Sequence, residues 1–332
     1  MAIGIQAQPV GPGPAAPAPL LINDGCTFPQ FLGTYSTGQI EFRNTSASIT
    51  VPNFDGRGEL IMVPASEIAH EQYVGTNLVP SVVGVKGMSI SGNVAHFSLQ
   101  DASYRNIYWS MSWHAYKIHP RGSMTYGVNF TNSADFMNLN DTGTVGQCIW
   151  AYQGAVGDGM VLSAIPANAV VFMYWDQADT VVQYTPQNRT IHVTHNRMNN
   201  NNGQTIGFAR IVAFLNTGSV PEHRGGFNIY NASGTCTFST YNSPFIIRGF
   251  ISTAGGNPGV TQPMINITTN GLAGGQGGGW QYQHWRGATN QGGSIGTGFG
   301  PQFASWTDQY DLMINSTTNI PLPVLSALDY FA

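Results

Sequence analysis

Short apolar and β-branched runs follow one another along the chain, and this succession constrains the fold more than any other feature. Gly, Pro, Asn or Asp cluster between most of the runs, which recur every 8 to 15 residues or so without amphipathic helices between them. We therefore predict an all-β fold of antiparallel sandwich or barrel-like domains with very little helix. One helical turn is expected in PASEIAHEQY, capped by Ser66 with Glu67 in the first turn. The runs include GQIEF, ASITV, GELIMV, HFSL, NIYWSMSW, AVVFMYW, DTVVQY, RTIHVTH and FARIVAFL.

Charge is scarce: only 8% of the 332 residues are Asp, Glu, Lys or Arg, and the net charge is −4. Nucleic-acid binding through phosphates needs clustered Lys and Arg, and the sequence has no such cluster. No apolar run is long enough to span a membrane. The opening MAIGIQAQPVGPGPAAPAP lacks the basic and apolar regions of a signal peptide, so synthesis in the cytoplasm is expected.

Composition divides the chain into three predicted parts. Residues 1–19 are rich in Pro, Gly and Ala and predict an extended arm that lies on a neighbouring subunit. A large β domain is expected over 20–220, followed by a second β domain over 221–332. The boundary is placed at NTGSVPEHRGG, residues 216–226.

One short segment occurs twice. LLINDGCTFPQFLGTYSTG at 20–38 and GFNIYNASGTCTFSTYNSPFIIRGF at 226–250 share an Asn, a Gly, Cys-Thr-Phe, a Pro near a Phe, and a closing Gly. The second copy predicts a strand at 227–230, a turn at 231–234, a returning strand at 235–238, and a third strand on PFIIRGF. Either a domain has been duplicated, or one unit contains an insertion at 39–220.

The second copy also resembles a run found in small structural proteins of tailed bacteriophages. The matching residues are Gly226, Ile229, Tyr230, Asn231, Gly234 and Phe238. The resemblance covers about 25 residues and the shortened first copy. It implies a component of the virion, and it carries no catalytic residues over to this chain.

Catalytic and metal-binding patterns are not evident. Acidic pairs such as Glu67 and Glu71 are expected to cap turns or face solvent, and the sequence has no nucleophile elbow and no phosphate loop. His192 and His195 have an odd separation, as have His114 and His119, so neither pair could share a metal on a regular strand. The chain is thus predicted not to be an enzyme and to use no metal or cofactor.

The three cysteines, Cys26, Cys148 and Cys236, are predicted to be small buried hydrophobic residues in strands. Two of them occupy equivalent places in the repeat. Three cysteines cannot all pair within one chain, and no two stand close enough together to suggest a zinc site.

The segment at 271–302, GLAGGQGGGWQYQHWRGATNQGGSIGTGFGPQ, is predicted to be a Gly-rich loop. Trp280, Tyr282 and Trp285 could stack on sugar rings, and Arg286 could donate hydrogen bonds to hydroxyl or acidic groups. The alternative is that the tryptophans fill the domain core or pack against a neighbouring subunit.

The resemblance, together with these features, implies a bacteriophage virion structural protein at the tail tip or baseplate, and contact with a host-surface glycan is a further expectation. The expected partners are other tail proteins and further copies of the chain, arranged as a trimer or ring. One alternative is a head decoration or capsid-associated protein, although large shells usually need a long helix and more charge. An alternative of another class is a carbohydrate-binding module or adhesin, which should carry a secretory signal and usually a disulfide.

Overall fold

The all-β prediction is confirmed by the computed structural model. The model describes residues 5–7, 20–22, 27–72, 81–100, 108–119, 127–129, 138–140, 144–198, 202–216, 220–307 and 313–332. Within these ranges there is no α-helix, and a 3₁₀ turn lies at Ala327–Asp329. None of the described segments forms a helix long and apolar enough to cross a membrane.

The described strands pair antiparallel throughout, apart from isolated bridges. In chain order they are β1 (Ile5–Ala7), β2 (Leu20–Ile22), β3 (Gln30–Ser36), β4 (Ile40–Glu41), β5 (Ser46–Thr50), β6 (Glu59–Pro64), β7 (Ala69–Gln72), β8 (Ser81–Ser91), β9 (Val94–Leu99), β10 (Tyr108–Trp109), β11 (Ser112–Ile118), β12 (Gly127–Asn129), β13 (Asn138–Asn140), β14 (Gln147–Gly157), β15 (Met160–Val161), β16 (Val170–Trp175), β17 (Thr180–Thr185), β18 (Thr190–His195), β19 (Thr205–Leu215), β20 (Asn228–Tyr230), β21 (Cys236–Ser239), β22 (Gly249–Ser252), β23 (Pro263–Asn266), β24 (Gly271–Gly277), β25 (Trp280–Gln291), β26 (Ser294–Thr307), β27 (Ser316–Thr317) and β28 (Pro321–Ser326).

Two large sheets pack face to face. One has the order β14-β19-β16-β23-β28-β22, and the other has the order β15-β18-β17-β25-β24-β27, with β26 also paired to β25. Their facing side chains form one core, in which Val171 and Ile211 of the first sheet share a cluster with Val182 and Ala288 of the second. The second sheet curls so that β26 also approaches β18, and Phe299 of β26 donates its backbone N–H to Asn196 Oδ1 just after β18 (3.0 Å).

The continuous apolar sequence of β16 explains why this strand lies in the interior of its sheet, between β19 and β23. Phe172 belongs to a core on one face of the sheet, whereas Val171 and Met173 belong to the core on the other face. A strand buried on both faces needs apolar residues at consecutive positions, because successive side chains point to opposite sides. β9 differs: Ala95, Phe97 and Leu99 are buried, while the residues between them are exposed.

Strands from both sides of the predicted boundary at 220/221 share the same sheets. β23, β28 and β22 extend the sheet that begins with β14, and β24 to β27 extend the sheet that begins with β15. One core likewise contains Val63, Phe214, Phe238 and Tyr330. The division into two β domains stays a prediction, and the two parts are joined through continuous sheets.

The second copy of the repeated segment forms the predicted strand-turn-strand unit. β20 and β21 pair through Asn228–Ser239 and Ile229–Phe238. The turn between them depends on Asn231, whose Oδ1 accepts the backbone N–H groups of Ser233 (3.0 Å) and Thr235 (2.8 Å). Gly234 completes it at φ +78°, a conformation that glycine adopts without steric cost.

The predicted third strand on PFIIRGF is wrong. Pro244 and Ile247 form isolated bridges to Gln147 and Thr27, and only from Gly249 does a strand begin, which pairs with β28. Proline has no backbone N–H to donate to a ladder, so a regular strand is unfavourable at this point. The segment therefore contacts the first copy of the repeat and the start of β14 instead of β21.

The predicted arm at 1–19 is described only at Ile5–Ala7. These residues pair with Leu20–Ile22 of the same chain, so this part of the arm folds back on its own chain. The rest of the arm, and residues 23–26 of the first repeat copy, lie outside the described residues.

Two further local predictions are wrong. No helical turn follows Ser66, because Ile68 is fully buried and Ala69–Gln72 pairs with β8. The segment 271–302 is not a loop: β24, β25 and β26 form two long hairpins across it. Their turns are Gly278-Gly279 and Gly292-Gly293, all at positive φ, as two-residue hairpin turns require.

Candidate binding cleft

The four aromatic and basic residues predicted to bind a ligand do not form one site. Trp280 starts β25 beside the glycine turn and is 47% exposed, while Trp285 lies about 17 Å further along the strand at 3.3 Å per residue. Tyr282 is half-buried, opposite Gly275 and Ser305. Arg286 donates from Nε to the backbone oxygen of Leu272 (2.9 Å), and burial lowers its pKa. Of the four, Trp285 lines a cleft.

The cleft has a volume of about 280 Å³ and lies between two sheets. Residues of β7 and the bend before it form one side. The other side consists of residues from β17, β18, β25 and β26 of the curled sheet.

An aromatic pair forms one wall. The rings of Trp285 and Phe303 are stacked, with centroids 4.3 Å apart and planes at 29°, and both are half-buried. The pairing of β25 with β26 is irregular here: His284 pairs with Gln302 and Arg286 with Phe299, so both Gly300 and Pro301 lie opposite Trp285. A side chain at Gly300 would meet the Trp285 backbone oxygen at 2.9 Å. The irregular pairing at Trp285 therefore needs a glycine at position 300.

Two carboxyl groups face the aromatic wall. Glu67 and Glu71 both line the cleft and are half-buried, which contradicts the expectation that they cap a turn or face solvent. Burial, with a further contribution from Glu71, raises the pKa of Glu67 to about 7, and burial also raises the pKa of Glu71. Within the described part of the chain, neither carboxyl forms an ion pair.

A buried amide adds a hydrogen-bond acceptor. Gln183 is 4% exposed and donates from Nε2 to the Thr269 hydroxyl (2.9 Å), and both residues line the cleft. Among the residues that the structure describes, its Oε1 has no hydrogen-bond partner. A buried acceptor without a partner is costly, so a ligand that donates to it gains affinity.

Two histidines complete the polar lining. Burial lowers the pKa of both His70 and His192, which favours the neutral imidazole, although Asp158 lies 3.7 Å from His192 and opposes the effect there. His195 does not line the cleft, and its Nδ1 lies 3.4 Å from Asp179 Oδ2. His114 contacts Thr34 and the backbone oxygen of Asn168. Across the described residues, no three His, Cys, Asp or Glu side chains are grouped as a metal site would need.

Cys148 and Cys236 are buried and unpaired, as expected, and both lie in strands. Burial raises the pKa of the Cys148 thiol to about 12, so the thiol is not activated as a nucleophile. Cys26 lies outside the described residues.

Sequence reasoning therefore identified Trp285 and missed its neighbours. Glu67 and Glu71 carried a signal in their even spacing, which can place two side chains on the same side of an extended segment. Gln183 and Phe303 belong to ordinary strand patterns, and nothing local marks them as part of a site.

The chain is an all-β protein, and its candidate binding cleft is lined by acidic and aromatic side chains. A family model described as a family of unknown function, DUF6453, matches residues 4–308, and the chain belongs to this family. No curated protein and no solved structure matches the chain.

Proposed function

We propose that this protein is a structural component of a tailed-bacteriophage virion, at the tail tip or baseplate, and that it binds a host-surface glycan in the cleft. The virion assignment is supported by the resemblance carried by Gly226, Ile229, Tyr230, Asn231, Gly234 and Phe238, and by the low charge of the chain. The glycan assignment is supported by one observation above all: the stacked Trp285 and Phe303 rings form the wall of a polar cleft.

The lining of the cleft suits a saccharide. Aromatic faces pack against the C–H groups of sugar rings, and polar side chains arranged around them accept and donate hydrogen bonds to hydroxyls. Here Glu67, Glu71 and Gln183 offer acceptors, and Thr185 offers a hydroxyl. A concave site with an apolar wall and a few polar groups is the usual form of a small-ligand site.

A glycan array on the purified full-length chain tests this function. The test variant is Trp285→Ala, and the matched control is Trp280→Ala, which removes an exposed tryptophan of the same strand outside the cleft. We expect Trp285→Ala to abolish binding and Trp280→Ala to preserve it. If the two variants bind glycans equally well, the cleft is not the glycan-binding site.

Location in the virion is tested by the number of copies per particle, measured by quantitative mass spectrometry of purified phage. A tip or baseplate component is expected in a few copies to a few tens of copies. Hundreds of copies would favour a head decoration protein, and absence from particles would favour an independent carbohydrate-binding module.

Assembly is tested by light scattering of the purified protein. We expect the molar mass of a trimer or ring, and we expect deletion of residues 1–19 to weaken it. A monomer at all concentrations would contradict the proposed homo-oligomer.

A further inference from the structure

We propose that the cleft recognises a saccharide that carries a free ammonium group, that is, an amino sugar whose amine is not acetylated. This inference rests on the proposed glycan binding and specifies the class of sugar. It follows from three properties of the cleft that act together on a cation: its charge, its aromatic wall and its unpartnered acceptor.

The first property is uncompensated negative charge. Glu67 and Glu71 line the cleft, and no Lys or Arg is among the described residues that line it. The other titratable groups of the lining are His70 on β7 and His192 on β18, and burial favours the neutral form of each. Burial, with a smaller contribution from Glu71, raises the pKa of Glu67, and burial raises the pKa of Glu71, because neither carboxylate has a counter-charge among the described residues of the cleft. A bound ammonium would supply that counter-charge.

The second property is the aromatic wall. A cation placed near the face of an indole or phenyl ring is attracted by the ring's quadrupole, and indole is the strongest of the natural side chains in this respect. The stacked Trp285 and Phe303 lie in the same cleft as the two carboxyl groups. An ammonium-bearing sugar ring can therefore pack its C–H face on the wall while its charged group reaches the carboxylates.

The third property is the free oxygen of Gln183. Oε1 is buried and unpartnered, and the rest of the amide is fixed by the bond to Thr269. An ammonium has three donors and no acceptor, so its donors suit a site whose polar groups are carboxylates and an amide oxygen. An N-acetyl group has one donor and no charge, and a uronic acid would be repelled by the carboxylates.

Isothermal titration with two matched probes tests the inference. The probes are a trisaccharide of glucosamine and the same trisaccharide fully N-acetylated, both titrated at a pH where the amines are protonated. We expect the amine form to bind at least about tenfold tighter. Glu67→Gln and Glu71→Gln should each remove most of this preference, because each removes a carboxyl group that can ionise to pair with a bound ammonium, while keeping the shape of the side chain.

Glu59→Gln serves as the control, since Glu59 is exposed at the start of β6 and does not line the cleft. It should leave the preference unchanged. Folding of every variant is checked by its thermal transition, and the use of two cleft variants keeps the test decisive if one of them unfolds.

The two possible failures are distinguishable. If the acetylated probe binds as tightly as the amine probe, and Trp285→Ala abolishes both, the inference is overturned while glycan binding stands. If no saccharide binds, whether neutral, acidic or basic, the proposed function fails and the inference fails with it.

Discussion

The ring of Phe28 packs edge-on against the ring of Phe238, with centroids 5.8 Å apart and planes at 84°. Each phenylalanine ends a Cys-Thr-Phe tripeptide, one in each copy of the repeated segment. Thr27, beside Phe28, exchanges backbone hydrogen bonds with Ile247 of the second copy. The two copies thus meet in one core.

We expect Phe28→Ala and Phe238→Ala each to lower the free energy of unfolding by about 3–5 kcal/mol, because both side chains are almost fully buried. The double variant should lose less free energy of unfolding than the two single variants lose together. The difference should be about 0.5–1.5 kcal/mol, because the two rings contact each other. Urea unfolding followed by tryptophan fluorescence measures these values. Phe250→Ala, at a 38% exposed position, is the control. Strictly additive losses would mean that the two rings do not interact.

Gly287 marks the closest approach of β17 and β25. A Cβ at this position would lie 2.6 Å from Val181 Cγ1 and 2.7 Å from the backbone oxygen of Val182. Gly287→Ala should therefore lower the free energy of unfolding by about 1–3 kcal/mol, because the backbone must move. Gly207→Ala is the matched control in β19, where a Cβ would meet nothing within 4 Å, and it should be neutral or stabilising. Thermal unfolding distinguishes the two, and equal transition temperatures would contradict the close approach.

Glu67 should make stability fall as the pH rises. Its pKa in the folded protein is about 7, against an ordinary value of 4.5, so the folded state holds a proton that the unfolded chain releases. The stabilising effect is complete below about pH 4.5 and is lost as the pH rises through about 7. Relative to Glu67→Gln, the wild type should lose about 3 kcal/mol over this window. Denaturant titrations of both proteins at several pH values measure the difference, and parallel profiles would refute the prediction.

The ion pair of Arg248 with Asp329 should contribute more than an exposed pair. It is bidentate, with Nη2–Oδ1 at 2.6 Å and Nε–Oδ2 at 2.9 Å, and both side chains are largely buried. Asp329→Asn is expected to cost about 1.5–3 kcal/mol. The Arg43–Glu41 pair has an arginine that is 58% exposed, so Glu41→Gln should cost less than about 1 kcal/mol. The free energies of unfolding are measured with urea. Similar losses in the two variants would show that burial does not strengthen the Arg248–Asp329 ion pair.

The fold class could be predicted from sequence because the strand runs and their turn residues are local signals. β16 and β9 show the two patterns, continuous and alternating, that buried and half-buried strands require. The hairpins of β24 to β26 were missed because their many glycines suggested a loop more strongly than the alternating side-chain pattern suggested strands. Several of these glycines lie inside strands where another chain segment approaches closely, as Gly287 and Gly300 do, and this is a property of tertiary packing.

The cleft could be predicted only in part. Trp285 stood out by composition, but Glu67, Gln183 and Phe303 come from segments separated by about a hundred residues and meet only through the packing of two sheets. The even spacing of Glu67 and Glu71 could have suggested that their side chains lie on the same side of an extended segment. Which sheet would face them is a matter of long-range topology, and no local pattern encodes it.

The position of β28 has a consequence for synthesis on the ribosome. This strand lies inside its sheet, between β23 and β22, and Tyr330 just after it packs on Phe214. A nascent chain that has reached only residue 320 lacks an interior strand, so β22 has no partner and the apolar surface around Phe214 is open. The core is therefore incomplete until β28 and Tyr330 have been synthesised, and until then the exposed apolar surface favours aggregation.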